Sequence, residues 1–592
     1  MARDYSDLTR EELIETLQKL EEIKYGLIWN VEATKEQFEK EAQNAVPVLE
    51  GIKEKQLISD LFGPVHIMIE GDNYHALQIL SYTHKEKVDI IYIDPPYNRG
   101  EGDFMYNDNY VDKDDPWKHS KWLSFMNKRL RLAQDLLKES GIIFISIDDN
   151  ESAQLRLLCD GIFGSNNHLA TLYIKVRYEG KTLVEDAGIQ KVIETVYVYG
   201  KTQSAKLNQQ KTPYVLDKFH WKIIETDKPT RTKLGGKTVE IFRPGQYEVR
   251  KVKPSLEGLK EIWASGKVLD GNSSGRYFRD YLMERKTVDG CGVLYKVHDL
   301  GDDILGYRYF TGPKQEHASR GKYYQGVPKA VVANEEMSEK NVPIVNYYEF
   351  SDAFGNCRNE GGIDFRYGKK PVAFLKTLLE LGIAAGNIEC TILDFFAGSG
   401  STCHAVIDLN TQNKTKHQCI LCTNNESGIA TEVCYPRLMN IILGSESKYE
   451  ARKNVRGLGG NLRYFKTNFI PDNSSEASLK MRVAENATQI ICLQEGIHRE
   501  VYSTDYYKVF NEGDKTVIIY HSIESASLPE VEKHFKNIEG EKIFYIFTLG
   551  TEPEIDVAEC QERGIRVEPF PQKIIQVWED TRKLSNGNGR KK

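Results

Sequence analysis

Apolar runs of strand length punctuate this chain, and several stop abruptly at a carboxylate or a glycine. Lys87 to Ile93 is mostly apolar and β-branched, and it ends at Asp94 followed by two prolines. That pattern predicts a buried strand with a forced exit. Cys390 to Phe396 predicts a second strand, leading through the tight loop Ala397 to Thr402 into a helix around His404 to Ile407. Lys416 to Cys422 predicts a third, ending at Asn424, Asn425 and Glu426. Leu462 to Phe465, Lys515 to Tyr520 and Lys542 to Phe547 predict further strands, the last two alternating with helices. Residues 8 to 25 predict an amphipathic helix capped by Asp7 or Thr9, with Glu12 placed for a capping box. The alternation predicts an α/β chain, doubly wound, with a polar boundary at Asp472 to Glu476, a small C-terminal α/β domain and a disordered tail from Asn586.

The places where the strands stop carry the candidate chemistry. In Asp94-Pro95-Pro96-Tyr97 each proline fixes φ and lacks an N–H, and each disfavours the α region for the residue before it. The result is a stiff extended turn at the carboxyl end of a strand, where open α/β sheets bind ligands. Carbonyls released by the prolines can accept from an NH2 group, Asp94 can accept another hydrogen bond, and Tyr97 offers a ring face. An amine held this way keeps its lone pair out of conjugation and aimed at an electrophile. The gain is orientation and charge stabilisation rather than strong base catalysis. Gly398 and Gly400 in the second loop let backbone N–H groups approach a nucleotide-like cofactor. Glu426, about 30 residues beyond Asp394, stands near the spacing at which such folds set a carboxylate on ribose hydroxyls.

The two strings occur together with Glu70-Gly71-Asp72-Asn73, Phe104 to Asn109, Gly141 to Glu151 and Phe365 to Pro371. In this order the set resembles the beta class of amino-methylating DNA methyltransferases, and more narrowly the modification subunits of type III restriction-modification systems. The resemblance implies a Rossmann-like methyltransferase domain in permuted order, S-adenosylmethionine as cofactor, and transfer to the N6 of adenine in a base flipped out of duplex DNA. It implies an N-terminal helical region at 1–59, a catalytic half at 60–180, a target-recognition domain at 181–340, a cofactor-binding half at 341–470 and a C-terminal α/β domain at 471–592. Asp94, Pro95, Pro96 and Tyr97 become the catalytic set. Asp72, Asn73, Lys370, Pro371, Asp394, Phe396, Gly398, Ser399, Gly400, Thr402 and Glu426 become the cofactor set, with Asp72 near the adenine and Lys370-Pro371 near the methionine end. Tyr173 and Tyr178 are the candidates for stacking on the flipped base, opposite Tyr97.

Bulk properties refine this picture. A chain of 592 residues predicts roughly three to four domains. No stretch approaches a membrane span, the start runs into a charged segment rather than a leader, and ten scattered cysteines suit a reducing cytoplasm. Cys419 and Cys422 form a CxxC inside an apolar run without a second pair, which predicts buried strand cysteines, and no metal site is expected. The net charge of −7 gives no overall attraction to DNA, but residues 171 to 340 carry 30 Lys and Arg against 22 Asp and Glu. Arg276, Arg279, Arg308, Arg320 and Lys322, interleaved with aromatics, are the candidate DNA contacts. A P-loop is absent, because Arg231 stands where the first glycine of Lys233 to Thr238 is needed, so a helicase-nuclease restriction subunit would be a separate partner. The resemblance also implies a homodimer. The rival readings are a cytosine N4-methyltransferase, which often has serine in place of Asp94, a methyltransferase acting on RNA or protein glutamine, and a DNA-recognition subunit that binds cofactor without catalysis.

Overall fold

The computed structural model describes Trp29 and residues 45–60, 63–100, 105–106, 109–180, 188–209, 211–213, 216–265, 273–332, 339–365, 368–445, 455–472, 475–522, 528–536, 540–550, 552–553 and 555–585. The expected helix over 8 to 25 with its caps, Phe104, Asn107, Asp108, Arg366, Tyr367 and the tail from Asn586 lie outside the described residues. Two compact units are present, Gln209–Ile344 and the rest of the chain.

The larger unit is built on one mixed sheet. Ten of its eleven strands are β1 (Ala45–Gly51), β2 (Val65–Glu70), β3 (Val88–Ile93), β4 (Leu137–Ile147), β5 (His168–Lys175), β6 (Ile193–Gly200), β7 (Tyr347–Glu349), β8 (Thr391–Asp394), β9 (Gln418–Thr423) and β10 (Asn461–Pro471), and the short Leu57–Ile58 pairs with β10. Their spatial order is β1-β10-β2-β9-β8-β3-β4-β6-β5-β7. The six strands from β10 to β4 are parallel, and the outer pairs β1 with β10, β4 with β6 and β6 with β5 are antiparallel. Central parallel strands covered on both faces read as unbroken apolar runs, which is why Val88–Ile93 and Gln418–Thr423 lack a polar alternation. Ala45–Gly51, within the stretch expected to be helical, is instead an edge strand, held by its register with Gly51 against Phe465.

Four helices frame the site: α1 (Asn73–Thr83), α2 (Lys118–Leu136), α3 (Val372–Gly382) and α4 (Ser401–Asn413). β3 and β8 lie side by side, yet the chain leaves β3 for β4 on one side and β8 for β9 on the other. That adjacency is the switch point of a doubly wound sheet, and Asp94 and Asp394 stand at the carboxyl ends of its two strands.

A second sheet of five strands (Glu500–Ser503, Tyr507–Glu512, Lys515–Tyr520, Glu541–Phe547 and Ile565–Phe570) runs in chain order near the C-terminus. It shares a hydrophobic core with the main sheet, in which Val517, Tyr545 and Trp578 join Leu77, Leu80 and Leu136. The smaller unit is a six-stranded antiparallel sheet with its own core around Val239, Tyr295, Val297 and Phe310.

Candidate active site

The Asp94 turn is held from behind by a helix. Trp122 on α2 is fully buried, and its Nε1–H donates to the Pro96 carbonyl at 2.7 Å. Of the two proline carbonyls, this fixes Pro96 to the scaffold and leaves Pro95 as the one suited to an incoming amine. Asn98 follows in the left-handed region, φ 57°, and its amide donates to the buried Glu151 at 2.5 Å. Asp148, in the same acidic run, is taken by Arg99 at 2.8 Å.

A cavity of about 600 Å³ opens beside the turn, within the range that holds small ligands, about 300 to 1,000 Å³. Asp94, Pro95, Tyr97, Arg99, Tyr178, Glu194, Phe354 and Lys370 line it. Lys370, directly ahead of α3, turns its buried ammonium inward: 3.2 Å from Asp94, 2.8 Å from the Tyr97 hydroxyl and 2.8 Å from Glu194. The Tyr97 hydroxyl lies 2.8 Å from Asp94 and 3.1 Å from Glu194. The Arg99 guanidinium stands 4.9 Å from the Tyr97 ring centre.

The electrostatics follow from this crowding. Burial pushes the Asp94 carboxyl up, against the pull of Lys370. Burial also disfavours ionised Glu194, but Lys370 outweighs it and holds that carboxyl below its usual range. Burial alone would lower the Lys370 ammonium, yet Asp94 and Glu194 raise it to about 12. The adjacent Lys369 does a different job, donating to the carbonyls of Arg358, Glu360 and Ile363.

The glycine loop is shaped by Asp394. One of its oxygens accepts from the Phe396 N–H at 3.0 Å and the other from the Thr402 hydroxyl at 2.6 Å. This ends β8 at Asp394, two residues short of the expected strand, and turns the chain into the loop. Burial pushes the carboxyl up to about 7. Gly400 has φ 75°, and a Cβ there would meet the Cys434 sulfur at 2.9 Å. Gly398 has φ 49° and open space in front of it, the nearest atom to a Cβ being 3.9 Å away. Ser399 turns inward, where the fully buried Arg437 donates to its hydroxyl at 3.2 Å and to Ser401 at 2.6 Å.

Asp72 and Asn73 tie the start of α1 to this loop. Asp72 caps Tyr74 N at 2.7 Å and pairs with the buried Arg129 at 3.3 Å. Asn73 donates to the Phe395 carbonyl at 2.8 Å and accepts from Arg129 at 2.5 Å. Phe396 packs beside Phe125, and Glu426 is exposed just beyond β9. The carboxyl ends of β2, β8 and β9 therefore converge on the open space at Gly398. This donor set fits S-adenosylmethionine: a carboxylate at Asp72, a cradle whose missing Cβ leaves room, and a second carboxylate at Glu426. Asp394, Ser399 and Thr402 shape the cradle through contacts within the protein.

Other sequence candidates separate in space. Tyr178 lines the cavity and bonds Asp352, whereas Tyr173 is exposed on β5 opposite Tyr347. In the smaller unit Arg276 and Arg320 are exposed, Arg279 lies 2.6 Å from Asp280, and Lys322 lies 2.7 Å from Glu261. Arg308 departs from the expected DNA set, because it is buried in a 2.5 Å ion pair with Asp303. Cys419 and Cys422 are buried, three residues apart and so on opposite faces of β9. Among the described residues no group of His, Cys, Asp and Glu has metal-binding geometry, and no helix is long and apolar enough to cross a membrane. Glu194, Trp122, Arg129 and Arg437 escaped the sequence reading. A signal existed for Glu194, a lone acid beside the apolar run Val196 to Tyr199.

Comparison with known proteins agrees with this geometry. The chain is 28% identical over 452 residues to the type III restriction-modification enzyme EcoPI Mod subunit of Escherichia phage P1, covering 70% of this chain and 65% of that one. It is 26% identical to the EcoP15I Mod subunit of Escherichia coli, covering 70% and 67%. It is 30% identical to the type II methyltransferase M.KpnI of Klebsiella pneumoniae, covering 62% and 82%. The chain thus spans about two thirds of the length of these two Mod subunits. The family model described as DNA methylase matches residues 88–430, from the start of β3 past the glycine loop and Glu426, and the chain belongs to that family.

Proposed function

We propose that this chain is a DNA methyltransferase that modifies the N6 amine of adenine in duplex DNA, as the modification subunit of a cytoplasmic restriction-modification system. The observation that carries the reading is the Asp94 turn at the switch point, propped so that Asp94 and Pro95 line a cavity, while the neighbouring strand ends in the Gly398 loop. Asp94 and the Pro95 carbonyl accept the two N–H groups of the target amine and fix the direction of its lone pair. Tyr97 and Tyr178 supply ring surface for the base. Asp72, Glu426 and the loop from Phe396 to Gly400 would hold S-adenosylmethionine, with Lys370 and Pro371 toward its methionine end. That cofactor supplies an electrophilic methyl group when bound. Adenine is favoured over cytosine because aspartate, rather than serine, opens the turn. The names of the relatives support a Mod-type role, with a restriction subunit and a second copy of this chain as partners.

The test is single-molecule sequencing of genomic DNA from a methylation-deficient bacterial host expressing the chain, beside its Asp94→Ala variant. A new N6-methyladenine motif that vanishes in the variant is expected. N4-methylcytosine in its place would overturn the choice of base, and no modified base from soluble protein would overturn the reading as a whole.

A further inference from the structure

The cavity holds an ionisable group that belongs to neither motif. Glu194 is the second residue of β6, a strand antiparallel to β4 and so brought to the site from outside the parallel array. Its side chain is 17% exposed. It accepts from Lys370 at 2.8 Å and from Tyr97 at 3.1 Å, and lies 3.9 Å from Arg99. Asp94 uses the same lysine, at 3.2 Å, and the same hydroxyl, at 2.8 Å. Two carboxylates thus share one ammonium and one phenol, and the phenol has a single proton to give.

This sharing conflicts with what an amine-orienting carboxylate must do. Lys370 and Tyr97 both meet Asp94 at one oxygen, Oδ1, so the other can turn toward the amine, but the ammonium beside it cancels the negative charge that would hold that amine. An ammonium at that point also opposes the positive charge that builds on the amine as it is alkylated. Lys370 cannot simply be released, because a buried ammonium without a counter-charge is strongly disfavoured. It needs a second seat, and Glu194 already provides one at the shorter distance.

We propose that Glu194 is a positioning residue that draws Lys370 off Asp94 when the target base enters, freeing the Asp94 carboxylate to orient the exocyclic amine. This rests on the methyltransferase reading given above. The charges agree with it: Lys370 holds Glu194 ionised, while burial pushes Asp94 up. The titratable groups that bear on Asp94 are Lys370, Glu194, Tyr97, Tyr92 and, across the switch point, Asp394.

The experiment measures initial rates of methyl incorporation by the full chain from tritiated S-adenosylmethionine into unmethylated bacterial genomic DNA. Wild type is compared with Glu194→Gln and Glu194→Asp from pH 5 to 9, with thermal unfolding of each to verify folding. Glu194→Gln strands Lys370 on Asp94, so kcat is expected to fall about tenfold or more while KM for the cofactor stays within about twofold. The acidic limb of kcat should move to lower pH, because Asp94 loses the neighbour that raised it and keeps the one that lowers it. Glu194→Asp retains the charge and should recover part of the rate. A folded Glu194→Gln enzyme with wild-type kcat and limb would overturn the inference, as would equal losses in both variants with an unmoved limb. If wild type itself transfers no methyl group, the methyltransferase reading fails and this inference falls with it.

Discussion

At the scale of single residues, the two aspartates at the switch point divide shape from chemistry. Asp394 spends both oxygens inside its own loop, on Phe396 N–H and Thr402, and burial pushes it up to about 7 from an ordinary aspartate value near 3.8. A carboxyl raised in the folded state favours folding fully below the unfolded pKa, and that contribution is lost as pH rises through the folded one. Folding stability should therefore decline between about pH 4 and 7 by on the order of 4 kcal/mol from this group alone. Urea unfolding across that range should show the decline in wild type and its absence in Asp394→Asn. In the proposed reaction Asp94 is the chemical partner, and Tyr97 contributes two separable features, a ring and a hydroxyl. Asp94→Ala and Tyr97→Ala should each abolish methylation in the host assay. Tyr97→Phe keeps the ring and loses only the hydroxyl shared by Asp94 and Glu194, so it should retain measurable modification.

At the scale of elements, helix α2 holds the Asp94 turn through Trp122 Nε1–H to the Pro96 carbonyl and through the Lys118 carbonyl, which accepts from the Asn98 amide. Trp122→Phe keeps most of the buried ring and leaves the Pro96 carbonyl without its donor, a cost of about 1 to 3 kcal/mol. Urea unfolding should detect the loss, and kcat should fall more than cofactor affinity, because the Gly398 cradle is built by other residues. The same elements explain what could be read in advance. The ends of β3 and β9 were legible because apolar runs stop there at Asp94 and the polar residues after Thr423, whereas β8 ends two residues before the expected Phe396 because Phe395 and Phe396 carry the apolar run past Asp394. Short-range chemistry, prolines and left-handed glycines, marked the turns. Trp122 and Arg129 were not legible, since their partners lie 26 and 56 positions away, and Glu194 showed only its place beside an apolar run, its partner Lys370 lying 176 positions away. Tyr173 and Tyr178 differ by five positions, yet only the second faces the cavity. The choice is set by where β5 ends, at Lys175, and not by residue type.

For the whole molecule, charge is segregated between the two units. Residues 209–344 carry 24 Lys and Arg against 18 Asp and Glu, a net of +6, which leaves −13 on the remainder. In the proposed reading the smaller unit supplies the net attraction to a phosphate backbone, and its basic residues are not equivalent. Arg276 and Arg320 are exposed and free to meet phosphates without first giving up a buried contact. Lys322 and Arg279 already neutralise Glu261 and Asp280. Arg308 is locked to Asp303 in the interior, where the Gly326 N–H also donates to the same carboxylate at 2.8 Å. Each phosphate contact removed should lower the slope of log affinity against log salt by about 0.9. Fluorescence anisotropy of a labelled duplex across a salt series should show that reduction for Arg276→Ala and for Arg320→Ala, with unfolding unchanged. Arg308→Ala should behave in the opposite way. It strands a buried carboxylate at a cost of about 3 to 5 kcal/mol, so unfolding of the smaller unit shifts while the salt slope of the surviving folded protein stays at its wild-type value.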